Sequence, residues 1–165
     1  FFQLASFSTL TSVLLRFSLI SAISIPMLFK RLSPEVKLPY KGTPFAAAFD
    51  IFMPTSGCIT HHPKLFKLGF AVAIPQGYVG ILAPRSSTGT KDGLCLTNTI
   101  GVIDSDYRGE MMAMLQVAEG FTFKSFAKDD RLIQMMVVPH YTGDYSVVDE
   151  LPDTERGSGG FGSTN

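Results

Sequence analysis

The chain is short of cysteine, of net charge and of helical periodicity, and each shortage narrows what it can be. Only Cys58 and Cys95 occur among 165 residues, far apart and outside any CxxC pattern. That usage fits reduced structural thiols rather than a disulfide framework or a zinc site. Fourteen basic and fourteen acidic side chains cancel, so no strong overall field marks a binder of nucleic acid or of anionic membranes. Charge has to be read motif by motif. The histidines are His61, His62 and His140, without metal-ligand spacing. The adjacent pair reads as a solvated loop, because neighbouring strand residues point to opposite faces. The length suits one domain with a sizeable core.

Acidic residues are missing altogether before Glu35, where FFQLASFSTLTSVLLRFSLISAISIPMLFKRL is rich in Phe, Leu, Ile and Ser. A membrane-spanning helix needs roughly 18 or more uncharged apolar residues, and Arg16 splits this run. A mitochondrial-type presequence fits the Ser-rich, acid-free bias, though arginine is sparse for one, and a signal peptide would carry its positive charge earlier. The first methionine is Met27, and MLFKRLSPEVKLP is a plausible start. Residues 1–26 are therefore expected to be a cleaved leader or to lie outside the working protein, with no stable membrane association. A chain begun at Met27 is expected in the cytoplasm or nucleus; if residues 1–26 are translated, mitochondrial or other targeting is open.

From Lys30 onward no stretch sustains a helical period. FDIFMP, FKLGFAVAIP, YVGILAP, NTIGVI, GEMMAMLQV, RLIQMMVVPHY and YSVVDEL are short apolar runs bounded by Gly, Pro, Asp and Asn. Each has strand length and strand composition, which predicts an all-β sandwich or barrel. SSTGTKDGL is the one candidate for a short helix or irregular loop. The tail, ERGSGGFGSTN, is too rich in Gly, Ser and Thr to pack a core of its own.

Five stretches carry polar groups that a bare β-sandwich does not need. In FAAAFDIFMP, Asp50 stands alone among apolar neighbours, as an edge device or as a holder of a hydrated cation. In APRSSTG, Arg85, Ser86 and Ser87 follow a strand and suit an oxyanion or phosphate, although a simple turn explains them nearly as well. In GVIDSDYRGE, with Asn98 just upstream, Asp104 or Asp106 suits a general base, Tyr107 a packing face and Asn98 an amide reader. In AKDDRLIQMM, Asp130 and Arg131 look like a bracing ion pair, and Gln134 in an apolar strand needs a partner. In the tail, glycines allow close approach, hydroxyls suit phosphates, Phe161 suits stacking on a base, and Arg156 suits transition-state charge.

In this order AAAFDI, APRSS, GVIDSDYRGE, DRLIQ and RGSGGFGST resemble the five motifs of the trimeric dUTP pyrophosphatases (dUTPases), from about Met27 to the last residue. The resemblance implies a distorted β jelly roll over residues 27–151, a homotrimer, active sites shared at subunit interfaces, and a glycine-rich lid over residues 152–165 that orders on substrate. It implies hydrolysis of dUTP to dUMP and pyrophosphate, with Mg2+ on the triphosphate. Asp104 matches the carboxylate that activates water, with Asp106 and Arg108 bracing its turn or the trimer contact. Tyr107 matches the residue beneath deoxyribose that excludes a 2′-hydroxyl. Asn98 and the hairpin backbone of Gly101, Val102 and Ile103 match the uracil-reading elements. Arg85, Ser86, Ser87 and Gln134 match phosphate-side or site-bracing positions, and Asp50 an acid that reaches the metal through water. Arg156, Ser163 and Thr164 match phosphate contacts, and Phe161, between Gly160 and Gly162, the ring that covers uracil.

The pattern is departed from in places. Ala48 stands where glycine is usual and is strained if that position requires positive φ. Phe49 replaces a more common tyrosine. Ser87 and Thr88 replace Gly-Leu, and Asp129 stands at a turn where glycine is common. None removes a reacting group. The rival readings are a dCTP deaminase of the same fold and a catalytically silent relative that binds a protein partner. The intact Asp-x-Asp-Tyr turn and glycine-rich tail argue against both.

Overall fold

The computed structural model describes residues 25–160. Residues 1–24 of the expected leader and Phe161, Gly162, Ser163 and Thr164 of the tail therefore lie outside the described residues. Among those described, the order is β1 (Leu28–Arg31), β2 (Ala48–Phe52), β3 (Gly57–Ile59), β4 (Lys64–Lys67), β5 (Phe70–Ala73), β6 (Tyr78–Pro84), α1 (Ser86–Asp92), β7 (Leu94–Leu96), β8 (Gly101–Ile103), β9 (Met112–Val117), β10 (Lys124–Phe126) and β11 (Arg131–Pro139). The strands make four antiparallel sheets, ordered β1-β5, β3-β10, β2-β11-β6-β8 and β4-β9-β7.

β9 shows why these segments are strands. Met112 and Met114 face out while Ala113, Leu115 and Val117 are buried, the period of two that a half-buried sheet requires. β11 breaks that period: Leu132 and Ile133 are both buried, and the register with β2 shifts between Arg131 and Ile133. A bulge at this point bends the strand and re-aims Arg131. Ile51, Ile59, Leu68, Phe70, Leu82, Met111, Leu115, Ile133 and Met135 fill the core between the sheets. Each such side chain contributes about 1.5–3 kcal/mol by leaving water.

Three expectations need correction. FKLGFAVAIP is two strands, not one run, because the chain turns at Gly69, whose φ is +74°. A Cβ there would sit 2.6 Å from Val36 Cγ2, so Val36 reserves the position for glycine. NTIGVI is a strand only from Gly101, its first half being a turn. YSVVDEL forms no strand: Tyr145 and Val147 are each 89% exposed. Their composition favours extended chain, but a strand also needs an edge to pair with, and no described edge of this chain meets it. SSTGTKDGL resolves to the helix α1, closed by Gly93 at φ +64°.

Candidate active site

The larger polar cluster is assembled by strand register. Asp50 of β2 lies opposite Gln134 of β11, which lies opposite Ala83 of β6, so Arg85, just past β6, enters the same neighbourhood. Arg85 Nε is 2.9 Å from Asp50 Oδ1, and Arg131 Nη1 donates to Asp50 Oδ2 at 3.1 Å. The Asp50 side chain is only 14% exposed, so the carboxylate is held by charge rather than by water. Gln134 finds the partner it needs: its Nε2 donates to the Pro84 carbonyl at 3.1 Å.

Arg131 thus pairs with Asp50, where the sequence suggested its neighbour Asp130. Asp130 Oδ2 instead accepts the Ala127 N–H at 2.9 Å and closes the β10–β11 turn. Adjacent strand residues point apart, and the bulge turns Arg131 toward β2. Tyr40, unremarked in the sequence, completes the cluster. Its hydroxyl accepts from Arg131 Nη1, its ring lies 5.6 Å from the guanidinium carbon, and it stacks on Phe52 at 5.4 Å. Its backbone bridges Asp50 in both directions, at 2.9 and 3.2 Å. No periodic pattern links residues 40, 50 and 131, which is why the contact was illegible.

The departures sort themselves by geometry. Ala48 sits in β2 without positive φ, so alanine is unstrained there; Asp129, at φ +71°, is in the left-handed region, where it pairs with Lys37 at 2.8 Å. Thr88 is buried and its hydroxyl donates to the Leu132 carbonyl at 2.7 Å. That bond ties α1 to the bulge of β11, and leaves Ser86 and Ser87 exposed beside Arg85.

The second cluster lies between β7 and β9: a turn carries β7 into β8, and because β8 pairs with β6 while β7 pairs with β9 it is not the hairpin expected from the sequence. Thr99 has φ +66°, and the Ile100 N–H reaches back to the Asn98 carbonyl at 2.7 Å, a tight three-residue turn that a β-branched residue adopts under strain. Gly101 packs so closely that a Cβ would lie 2.9 Å from Leu82 Cβ. Asp104 is exposed just past β8, its carbonyl accepting the Tyr107 N–H at 3.2 Å. The Tyr107 hydroxyl donates to the Glu110 carbonyl at 3.0 Å, and Arg108 Nη1 donates to the carbonyls of Ser105 and Tyr107 at 2.6 and 2.9 Å. Arg108 therefore braces the turn. Asp104, Asp106 and Arg108 line a cavity of about 800 Å³ together with His140 and Gln76, two residues the sequence did not single out.

One chain does not bring these clusters together. β2 and β8 are the two edges of one four-stranded sheet, so Asp50 and Asp104 are about 14 Å apart across the strands at the usual spacing. Asp50 is level with Ala83, whereas Asp104 lies beyond the Ile103–Gly80 pair, which adds about 13 Å along the strands. Arg156 is on a third element, the tail turn, where its Nε donates to the Gly159 carbonyl at 2.9 Å. Gly159 is half-buried, and Gly160 after it is exposed.

No group of three or more His, Cys, Asp or Glu among the described residues is placed to hold a metal ion. With both Asp50 oxygens facing guanidinium groups, the residues fit a cation that arrives on an anionic ligand, not one held by the chain alone.

Comparison with known proteins agrees with the strand framework and the motif order. The dUTPase family profile matches residues 34–165. The deoxyuridine 5'-triphosphate nucleotidohydrolase of Desulfitobacterium hafniense (strain Y51) is 37% identical over 150 residues, covering 87% of this chain and 97% of that protein. The protein of the same name from Nautilia profundicola is 40% identical over 138 residues, covering 82% and 95%. Among solved structures, the Staphylococcus bacteriophage 80alpha dUTPase with dUPNHPP superposes with a TM-score of 0.76 at 25% identity, covering 86% of this chain and 99% of that one. The four-sheet framework is therefore the dUTPase jelly roll, and the chain belongs to the dUTPase family.

Proposed function

We propose that the chain is a dUTP diphosphatase, hydrolysing dUTP to dUMP and pyrophosphate, and so limits uracil incorporation into DNA and supplies dUMP for dTMP synthesis. The observation that carries this reading is the braced turn, strand and loop from Asn98 to Tyr107, which presents an exposed carboxylate beside a close-packed glycine backbone. Asp104 accepts the proton of a water whose oxygen attacks the α-phosphorus, and the bond from that phosphorus to the leaving pyrophosphate oxygen breaks. Alignment and neutralisation of growing charge are what this reaction asks of a protein. Arg85, Ser86 and Ser87 face the phosphates, Gln134 braces them through Pro84, and Arg156 brings charge from the tail with Ser163 and Thr164. Asn98 with the backbone of Gly101, Val102 and Ile103 reads uracil, Tyr107 packs under deoxyribose, and Phe161 covers the base. Mg2+ carried by the triphosphate supplies neutralisation of its oxygens, with Asp50 acting through water.

The working unit is a homotrimer. The roughly 19 Å that separates Asp50 from Asp104 by strand geometry supports a site shared between chains, as do the exposed apolar side chains Tyr141, Tyr145, Val147 and Leu151 on the arm that leads to the lid.

Pyrophosphate release with Mg2+, compared across dUTP, dCTP, dTTP and UTP, tests the reading. Release is expected from dUTP alone, and to fall by at least about a hundredfold in Asp104→Asn. Ammonia release from dCTP would establish a deaminase instead. A folded protein silent with all four nucleotides would leave a binding role for the same surface.

A further inference from the structure

Asp50 does not face its two arginines equally. Arg131 is held on several sides: by Asp50 Oδ2, by the Tyr40 hydroxyl and by the Tyr40 ring. Tyr40 is itself fixed, by its stack on Phe52 and its backbone bridge to Asp50. Arg85 has only the 2.9 Å pair to Asp50 Oδ1 and a 3.2 Å bond from its Nη1 to the Arg131 carbonyl. It stands at the mouth of α1 beside the exposed hydroxyls of Ser86 and Ser87. Two guanidinium groups and one carboxylate leave a net positive charge in a half-buried cluster, where an anion is favoured and a lone cation is not.

We propose that Asp50 is a placeholder for polyphosphate: it holds Arg85 while no nucleotide is bound, and the Arg85–Asp50 pair opens when a polyphosphate takes Arg85, Tyr40 meanwhile keeping Arg131 on the carboxylate. The proposal rests on the dUTP reading above and deepens it. Opening the pair exposes Oδ1 to the water shell of whatever cation the polyphosphate carries. Anion and cation binding are then linked through one carboxylate, and such linkage is reciprocal. Asp50 opposes anion binding without metal and favours it with metal.

The inference predicts a reversal of sign. Calorimetric titration of pyrophosphate into the full chain without metal should give tighter binding to Asp50→Asn than to the unaltered protein, by about tenfold, because Arg85 no longer has a competitor. With Mg2+ present the order should reverse. If Asp50→Asn fails to fold, the Arg85 Nε–H resonance of the unaltered protein, assigned by its loss in Arg85→Lys, gives the same answer. It should shift on addition of metal-free pyrophosphate, while Tyr40→Phe should weaken the enhancement that Mg2+ brings. Metal-free binding no tighter in Asp50→Asn, or an Arg85 resonance unmoved at saturation, overturns the exchange even if dUTP is hydrolysed. A chain that neither hydrolyses dUTP nor binds pyrophosphate overturns both readings.

Discussion

Asp104 stands exposed at the end of a three-residue strand, and its side chain supports chemistry more than fold. Asp104→Asn should therefore lower kcat for dUTP by about 10²-fold or more while leaving the melting temperature nearly unchanged; a matching fall in stability would make the residue structural. Thr99 is the reverse case. A β-branched residue at φ +66° stores about 1–3 kcal/mol of strain, against roughly 0.5–1 kcal/mol of extra backbone entropy lost by glycine on folding. Thr99→Gly should raise the urea midpoint slightly and loosen the turn into β8, seen as a higher KM for dUTP at similar kcat. Asp129, also at positive φ, makes a useful contrast. Asp tolerates that region through its short polar side chain, and its exposed pair with Lys37 contributes at most about 1 kcal/mol, so Asp129→Gly should be close to neutral.

The junction of α1 with β11 joins a buried hydroxyl, Thr88, to the backbone and side-chain bonds that Arg85 makes to the Leu132 and Arg131 carbonyls. Thr88→Val keeps the shape but removes the 2.7 Å bond to the Leu132 carbonyl, which still accepts the Arg85 N–H at 3.0 Å, so the cost should be about 0.5–1.5 kcal/mol, the net worth of one hydrogen bond. Because Arg85 opens the same helix, dUTP should also bind more weakly, a joint loss that equilibrium unfolding and KM together would register; loss of stability alone would uncouple α1 from the phosphate side. Legibility in the sequence follows the same division between local and long-range causes. The alternation in GEMMAMLQV and the five motif stretches were readable because their pattern lies within a few consecutive residues. The split at Gly69 was not, since the reason is Val36, brought there by the fold. The Asp50–Arg131 pair spans 81 positions, and adjacency pointed instead to Asp130. YSVVDEL has the composition of a strand and lacks only a partner, a property of the assembly around it rather than of its residues.

At the scale of the whole molecule the decisive feature is that one chain holds Arg85 just past the end of β6 and Asp104 just past β8, toward the opposite end of that strand pair, without joining them. If the site is completed by a neighbour, two different defects can repair each other. Asp104→Asn lacks the base but keeps an intact phosphate side, and Arg85→Gln lacks the phosphate side but keeps the base. Each alone should release little pyrophosphate from dUTP. Refolded together in equal amounts, they should regain roughly a quarter of full activity, because random assortment in a closed threefold ring gives about that share of sites two intact contributors from different chains. If each site were built within a single chain, every site in the mixture would carry one defect. Its activity would then stay at the average of the two inactive proteins, however the chains were mixed. Mixing the folded proteins without denaturation supplies the control, since exchange of subunits, and not mere coexistence, must precede the recovery.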